Sequence, residues 1–339
     1  MKILFIAPKF NGAASRAVLE YQIALYKVGL TDVHVLLQFG NKFEHNGTSK
    51  KNLSRLLDEI KPDIIHVIDN ELIKYRGPLT VYRERNPRLK IVFSYLLLST
   101  EVDWDYTLHG QDKEHFCSIG LQKKQTMSLL FADYIHVVNA NQFGVLMYNY
   151  GIPENKIVRI FRTGNVNPVR QYTGGDYILS VGRICPQKNY LNLIKSMQYI
   201  PDDNLKIVGE IVDESYYTSM IELINDLQLN NRVEIILYNK NNPDCYYTRA
   251  KLFVLCSYFE TFGQVLVDAS RYDLPLVCTD CGTFASNDVF ASDYRELAKI
   301  INDALLHPDL YKNYSFIRDN CNYIKIGNEL KDFYLKICS

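Results

Sequence analysis

Charge of one sign is what this chain most plainly lacks: 38 Lys and Arg against 38 Asp and Glu leave its 339 residues with no net charge. A nucleic-acid partner needs cations facing phosphates, and a net charge of zero gives no hint of one. Long apolar runs are missing too. None approaches the ~20 residues that cross a bilayer, and Met1-Lys2 leads directly into a strand-like run without a cleavage site, so neither a membrane span nor a secretory leader is expected. Glycine is scarce where a dinucleotide fingerprint would need it. Residues 8–15 (PKFNGAAS) follow the first strand and hold only Gly12, and the second strand closes on Gln38 instead of an acid, which disfavours an NAD or FAD enzyme. The eight cysteines are scattered. Cys278 and Cys281 form a lone CxxC, with no second pair and no histidine at zinc-finger spacing, so no metal site is expected. Cys256 and Cys278 sit in apolar runs, as reduced core thiols of a cytosolic protein do. No internal repeat or low-complexity tract is present.

What is there reads as a globular α/β chain. Its length suits two domains, and 47% hydrophobic with 22% charged residues is an ordinary globular balance. The charge is uneven: residues 1–165 carry 21 Lys+Arg against 16 Asp+Glu, a surplus of +5 that the remainder cancels. An acidic acceptor or an anionic membrane surface would account for that surplus, as would a chance excess on solvated faces. Apolar strand-like runs alternate with helical periodicity: strand 2–7, helix 17–30, strand 33–38, helix 53–60, strands 61–67 and 88–95, helix 121–131, strand 132–138 and helix 141–150. The same alternation resumes at Tyr177–Val181 and continues through helix 190–198, strand 205–208, helix 216–226, strand 233–237, strand 252–255, helix 264–271, strand 275–279 and helices 294–306 and 328–337. Asn167-Pro168 and Thr173-Gly174-Gly175 interrupt it near 166–174, where the domains are divided.

Two stretches carry chemistry. Residues 252–269 (LFVLCSYFETFGQVLVDA) read as a strand, a tight turn with the carboxylate of Glu260, and a helix. That arrangement exposes the backbone N–H groups of Phe262, Gly263 and Gln264, with Asp268 eight residues after Glu260. Residues 177–188 (YILSVGRICPQK) read as a strand ending in Gly182-Arg183, with Lys188 five residues later. A guanidinium fork and a compact ammonium both suit phosphate oxygens; two solvated surface cations are the plain alternative. Asp103-Trp104-Asp105, which contains the sole tryptophan, is a short pattern that recurs by chance and is not taken as a metal site.

These stretches resemble the donor site of retaining glycosyltransferases of the two-Rossmann-domain (GT-B) type, family four (glycosyl transferases group 1). The family carries a glutamate, a Phe-Gly turn and a second glutamate eight positions on; here they are Glu260, Phe262-Gly263 and Asp268. It also carries a strand ending in Gly-Arg with a lysine five residues later, here Gly182, Arg183 and Lys188. The passage 132–165 is similar to the family's exit from its first domain. The resemblance implies two Rossmann-like domains facing each other across a cleft: 1–168 on the acceptor side, 169–325 for the nucleotide-sugar donor, and 326–339 as a C-terminal helix packing back on the first. It implies a hexosyltransferase that moves a sugar from a UDP- or GDP-linked donor to a glycan or lipid-linked acceptor with retention and without metal or other cofactor. Arg183, Lys188 and Glu260 would be the catalytic set. Gly12, Ala13, Gly182, Gly209, Tyr238, Phe262, Gly263, Gln264 and Asp268 would hold the donor. A cytoplasmic location follows, with peripheral membrane contact through the first domain left open. The chain departs from the family pattern in four places. Gly12-Ala13 stands for a glycine pair, and Asp268 is one methylene shorter than glutamate. No histidine follows the strand at 88–95, His109 and His115 being too far along. The loop after 279 is trimmed. Two alternatives stay open: a non-catalytic nucleotide-sugar-binding module on the same fold, and a nucleotide-sugar 2-epimerase.

Overall fold

The structure is a computed structural model and describes residues 1–9, 12–50, 52–95, 119–169, 175–237, 244–279, 293–312 and 314–339. Two compact units divide them: the first takes the chain up to Gly164 together with Asn320–Ser339, and the second is Asn165–Asp319. No helix among the described residues is long and apolar enough to cross a membrane.

The first unit is built on eight strands: β1 (Ile3–Pro8), β2 (Val33–Phe39), β3 (Lys42–His45), β4 (Thr48–Lys50), β5 (Ile64–Asp69), β6 (Lys90–Tyr95), β7 (Tyr134–Val137) and β8 (Ile157–Arg159). They lie in the order β4-β3-β2-β1-β5-β6-β7-β8. Six are parallel, and β3 and β4 extend the β2 edge as an antiparallel hairpin. The central strands are apolar on both faces because both are covered. Residues 3–7 and all of β5 are buried. Helices α1 (Gly12–Lys27), α2 (Leu53–Ile60), α3 (Arg76–Arg85), α4 (Ile119–Phe131) and α5 (Ala140–Tyr148) cover it. Caps are local: the Asn52 and Asn139 side chains accept the amides of Arg55 (3.2 Å) and Gln142 (2.7 Å). Helix α1 begins at Gly12, so Gly12 and Ala13 stand on its first turn instead of in a loop. Ala13, Ala14, Arg16 and Ala17 are strong helix formers and extend the helix back past residue 17. The hairpin, β8, α3 and a helix at Tyr314–Cys321 are also absent from the alternation read in the sequence.

The second unit is a five-stranded parallel sheet, β11-β10-β9-β12-β13, made of β9 (Tyr177–Val181), β10 (Leu205–Gly209), β11 (Val233–Leu237), β12 (Ala250–Leu255) and β13 (Leu276–Cys278). In chain order this is 3-2-1-4-5, a Rossmann order in which the direction of winding reverses between β9 and β12. Helices α6 (Tyr190–Ser196), α7 (Glu214–Asp226), α8 (Asp244–Arg249), α9 (Gln264–Ser270), α10 (Tyr294–Leu306) and α11 (Tyr314–Cys321) accompany it.

The last helix, α12 (Tyr323–Cys338), belongs to the first unit. It starts five residues before the expected 328 because the Asn322 side chain caps it, accepting the Lys325 amide at 2.9 Å. Ile326, Leu330, Phe333, Tyr334 and Ile337 join Val18, Tyr21 and Leu25 of α1 in one core cluster. Gly327 lets the two helices touch: a Cβ there would lie 2.4 Å from the Ala24 carbonyl oxygen. A buried chain of hydrogen bonds runs from this helix across the sheet. The Ile160 carbonyl can only accept, so His136 Nε2 donates to it (2.8 Å) and His136 Nδ1 accepts from the Ser94 hydroxyl (2.7 Å). Ser94 Oγ then accepts from His66 Nε2 (2.7 Å), and His66 Nδ1 accepts from the Tyr334 hydroxyl (2.6 Å). Because Nδ1 of each ring accepts, both imidazoles are neutral. Burial holds both rings below the ordinary histidine range, His136 down to about 4.

Candidate donor site at the ends of β9 and β12

The expected site segments emerge side by side. In an open parallel sheet the place for a ligand is outside the carboxyl ends of the strands where the winding reverses. In the second unit that place lies between β9, which ends in Gly182-Arg183, and β12, which ends in Cys256 and its turn. Beside them β10 ends in Gly209. The Gly182 amide donates to the Val208 carbonyl (3.0 Å) and the Ile184 amide to the Glu210 carbonyl (2.8 Å). A Cβ on Gly209 would meet the Gly182 carbonyl oxygen at 1.9 Å, so glycine is needed for the strand ends to approach this closely.

After Arg183 the chain makes one 3-10 turn, Pro186–Lys188, and Asn189 takes a left-handed conformation (φ 55°) before α6 begins. This turn carries Lys188 into the interior. Its ammonium donates to Glu260 Oε1, and the two side chains are only 9% and 13% exposed, so the pair is shielded from most of the solvent that weakens surface ion pairs. Ser257 Oγ donates to the same carboxylate oxygen at 2.7 Å. Gln187 ties the two segments together. Its Oε1 accepts from Arg183 Nη2 (3.0 Å), its Nε2 donates to the Phe259 carbonyl (3.0 Å), and its own carbonyl accepts the Tyr258 amide (2.9 Å). Thr279, at the end of β13, donates its hydroxyl to the Ser257 carbonyl at 2.7 Å. The exposed Arg183, the buried Lys188 and Glu260 are thereby brought to one place by main-chain and amide contacts.

The remaining expected residues fall as follows. Phe262 is buried, and Gly263 takes the left-handed conformation (φ 80°) as the residue capping α9, which opens with Gln264. Asp268 stands in that helix, partly buried. Gly12 and Ala13 belong to the first unit. Tyr238, the Asp103–Asp105 pattern, His109, His115, Cys281 and the loop after 279 lie outside the described residues. Among the described residues no group of three His, Cys, Asp or Glu could hold a metal. Gln187 and Ser257 were not foreseen. Both lie inside the two quoted stretches, but an amide and a hydroxyl carry no signature of type or spacing, and only the folded turn shows what they reach.

This arrangement can do two things. A forked and a compact cation beside each other can receive a diphosphate, and a carboxylate already accepting hydrogen bonds can accept them from sugar hydroxyls.

Comparisons with known proteins bear on the fold and the family. Residues 165–315 match the family model described as Glycosyl transferases group 1. The amylovoran biosynthesis glycosyltransferase AmsD of Erwinia amylovora is 23% identical over 187 residues, 49% of this chain and 52% of that protein. The chain thus spans about half the length of that relative. Among solved structures, sucrose-phosphate synthase from Thermosynechococcus elongatus superposes with a TM-score of 0.76 at 16% identity, covering 99% of both chains. HepE of Anabaena in complex with UDP gives 0.70 at 16% identity, covering 99% of this chain and 100% of that one. The fold of the chain is GT-B, two Rossmann-like units, and its second unit carries the match to Glycosyl transferases group 1.

Proposed function

We propose that the chain is a glycosyltransferase that takes a nucleotide-diphosphate sugar on its second unit and passes the sugar to a glycan or lipid-linked acceptor. The observation that carries this reading is the Lys188–Glu260 pair beside Arg183, at the point of the sheet where the winding reverses. The family match over the same residues supports it. So does the description of similar proteins as glycosyltransferases or sugar-phosphate synthases, which also speaks against the binding-module and epimerase readings. UDP is the first donor base to try, since HepE was solved with UDP and with UDP-glucose; GDP is the second. The cationic surplus of residues 1–165 favours an acidic or lipid-linked acceptor.

In this reading the leaving diphosphate gains negative charge as the glycosidic bond breaks. Arg183 and Lys188, with the amides at 262–264, stabilise that charge, so no metal is required. Glu260 releases Lys188 in part and accepts hydrogen bonds from the donor sugar. Asp268 accepts from the ribose hydroxyls, through a water if its shorter side chain needs one. Tyr238 meets the base. The anomeric configuration is retained.

Nucleotide release from UDP-glucose, UDP-galactose, GDP-mannose and ADP-glucose, with and without EDTA, tests the reading. We expect one donor to turn over and to be indifferent to EDTA. Glu260→Gln and Lys188→Met should each reduce the rate by roughly 10²–10³, the loss seen when one donor to a developing charge is removed. Tight nucleotide binding without turnover, across a panel of glycan and lipid acceptors, would instead support a binding module.

A further inference from the structure

Tyr190, the first residue of α6, is 1% exposed, and its hydroxyl is buried with no hydrogen-bond partner among the described residues. Such a group is unusual, because a buried hydroxyl left unpaired loses its bonds to water and gains none in return. Its position is informative. A Cβ built on Gly182 would lie 2.8 Å from the Tyr190 hydroxyl and 3.1 Å from Lys188 Cε, so the phenol and the lysine stem share the space that the glycine leaves open. A neighbouring tyrosine does have a partner: the Tyr216 hydroxyl accepts the Leu191 amide at 3.2 Å. Burial pushes the Tyr190 phenol well above its ordinary range, so it stays protonated and neutral. A neutral hydroxyl can accept a hydrogen bond from an ammonium without competing with a phosphate for its charge.

We propose that Tyr190 is a positioning residue of the donor site: its hydroxyl is kept unpaired over Gly182 to accept a hydrogen bond from Lys188 when that ammonium turns from Glu260 to a phosphate. The ammonium has three N–H donors. Leaving Glu260 costs it an acceptor inside the protein, and Tyr190 Oη replaces that acceptor while the phosphate takes another donor. The exchange needs rotation only of the lysine tip, whose stem already lies beside the hydroxyl. The inference rests on the donor-site reading above and adds to it the residue that makes the turn of Lys188 affordable.

The test compares wild type, Tyr190→Phe, Lys188→Met and the double variant. Affinity for UDP, GDP and ADP is measured by isothermal titration, and thermal stability without ligand is measured alongside. Phenylalanine keeps the ring and removes only the unpaired oxygen, so Tyr190→Phe should melt no lower than wild type. It should nevertheless bind the preferred nucleotide about tenfold more weakly, the size of one hydrogen bond to a charged group. On the Lys188→Met background the same change should cost nothing more, since the hydroxyl acts through the lysine. Equal affinities of wild type and Tyr190→Phe would overturn this inference alone. So would a full tenfold second loss on Lys188→Met, or a ligand-free melting point several degrees lower, which would reveal a partner in the resting protein. Failure of wild type to bind any of the three nucleotides would overturn the donor-site reading and this one with it.

Discussion

Lys188 and Glu260 hold each other in a place that admits little water, and each is costly to leave alone there. Removing one member of a shielded pair strands the other, so Lys188→Met should lower stability by on the order of 3 kcal/mol, measured by urea denaturation, besides its effect on turnover. Glu260→Gln should cost less, because the amide oxygen can still accept from Lys188 and from Ser257. Gly209 makes a sharper case. Alanine is usually a mild replacement for a strand glycine, but here its Cβ would lie 1.9 Å from a main-chain oxygen that cannot step aside without moving β9. Gly209→Ala should therefore destabilise by about 3 kcal/mol or more and disturb Arg183 with it. A variant as stable as wild type would mean that the strand ends are not held as closely as described.

Helices and strands show what could be read in advance and what could not. Periodicity and the Gly-Arg and Phe-Gly turns were enough to place β9, β11 and α10 and to pick out both stretches that converge on the site. The β3–β4 hairpin has a legible signal: Asn46-Gly47, both with positive φ, form a two-residue turn of the kind Asn-Gly favours. β8 is three residues long, too short to leave a pattern. The contacts of Gln187 were not legible at all, because they depend on how one 3-10 turn packs against a segment some seventy residues away. The hydrogen-bonded chain through His66, Ser94, His136 and Tyr334 is likewise tertiary. It predicts a pH dependence. In the unfolded chain both histidines take protons near 6.5, whereas in the folded chain they stay neutral, His136 down to about 4. The unfolded state therefore binds more protons below pH 6.5. The stabilisation is complete above that pH and is lost as pH falls towards 4, at up to about 1.4 kcal/mol per pH unit for each histidine. Urea midpoints at pH 7.5, 6.0 and 5.0 should fall in that order; a flat series would contradict neutral, buried imidazoles. Gly327→Ala probes the same helix. Propensity alone would favour alanine by about 1 kcal/mol, but contact with the Ala24 carbonyl at 2.4 Å reverses the sign, and a loss of about 2 kcal/mol is expected by denaturation.

At the scale of the whole molecule, the chain builds one Rossmann-like unit, then another, and finishes the first with its last twenty residues. Removing residues 320–339 should expose Val18, Tyr21 and Leu25 and leave His66 without its tyrosine donor. Hydrogen exchange should then show β1 and β5 losing protection while β9 and β12 keep theirs, the second unit having its own core. Uniform loss in both sheets would contradict that independence. The central claim is that the second unit holds a nucleotide diphosphate on Arg183 and Lys188. A thermal-shift panel with UDP, GDP, ADP and their common sugars, on wild type and Arg183→Ala, tests it most directly. Ligand at a hundred times its Kd adds about 2.7 kcal/mol, enough to raise Tm by several degrees in a domain of this size. A shift with one nucleotide that Arg183→Ala abolishes is the predicted result; no shift with any nucleotide, or one that survives the loss of Arg183, would contradict it.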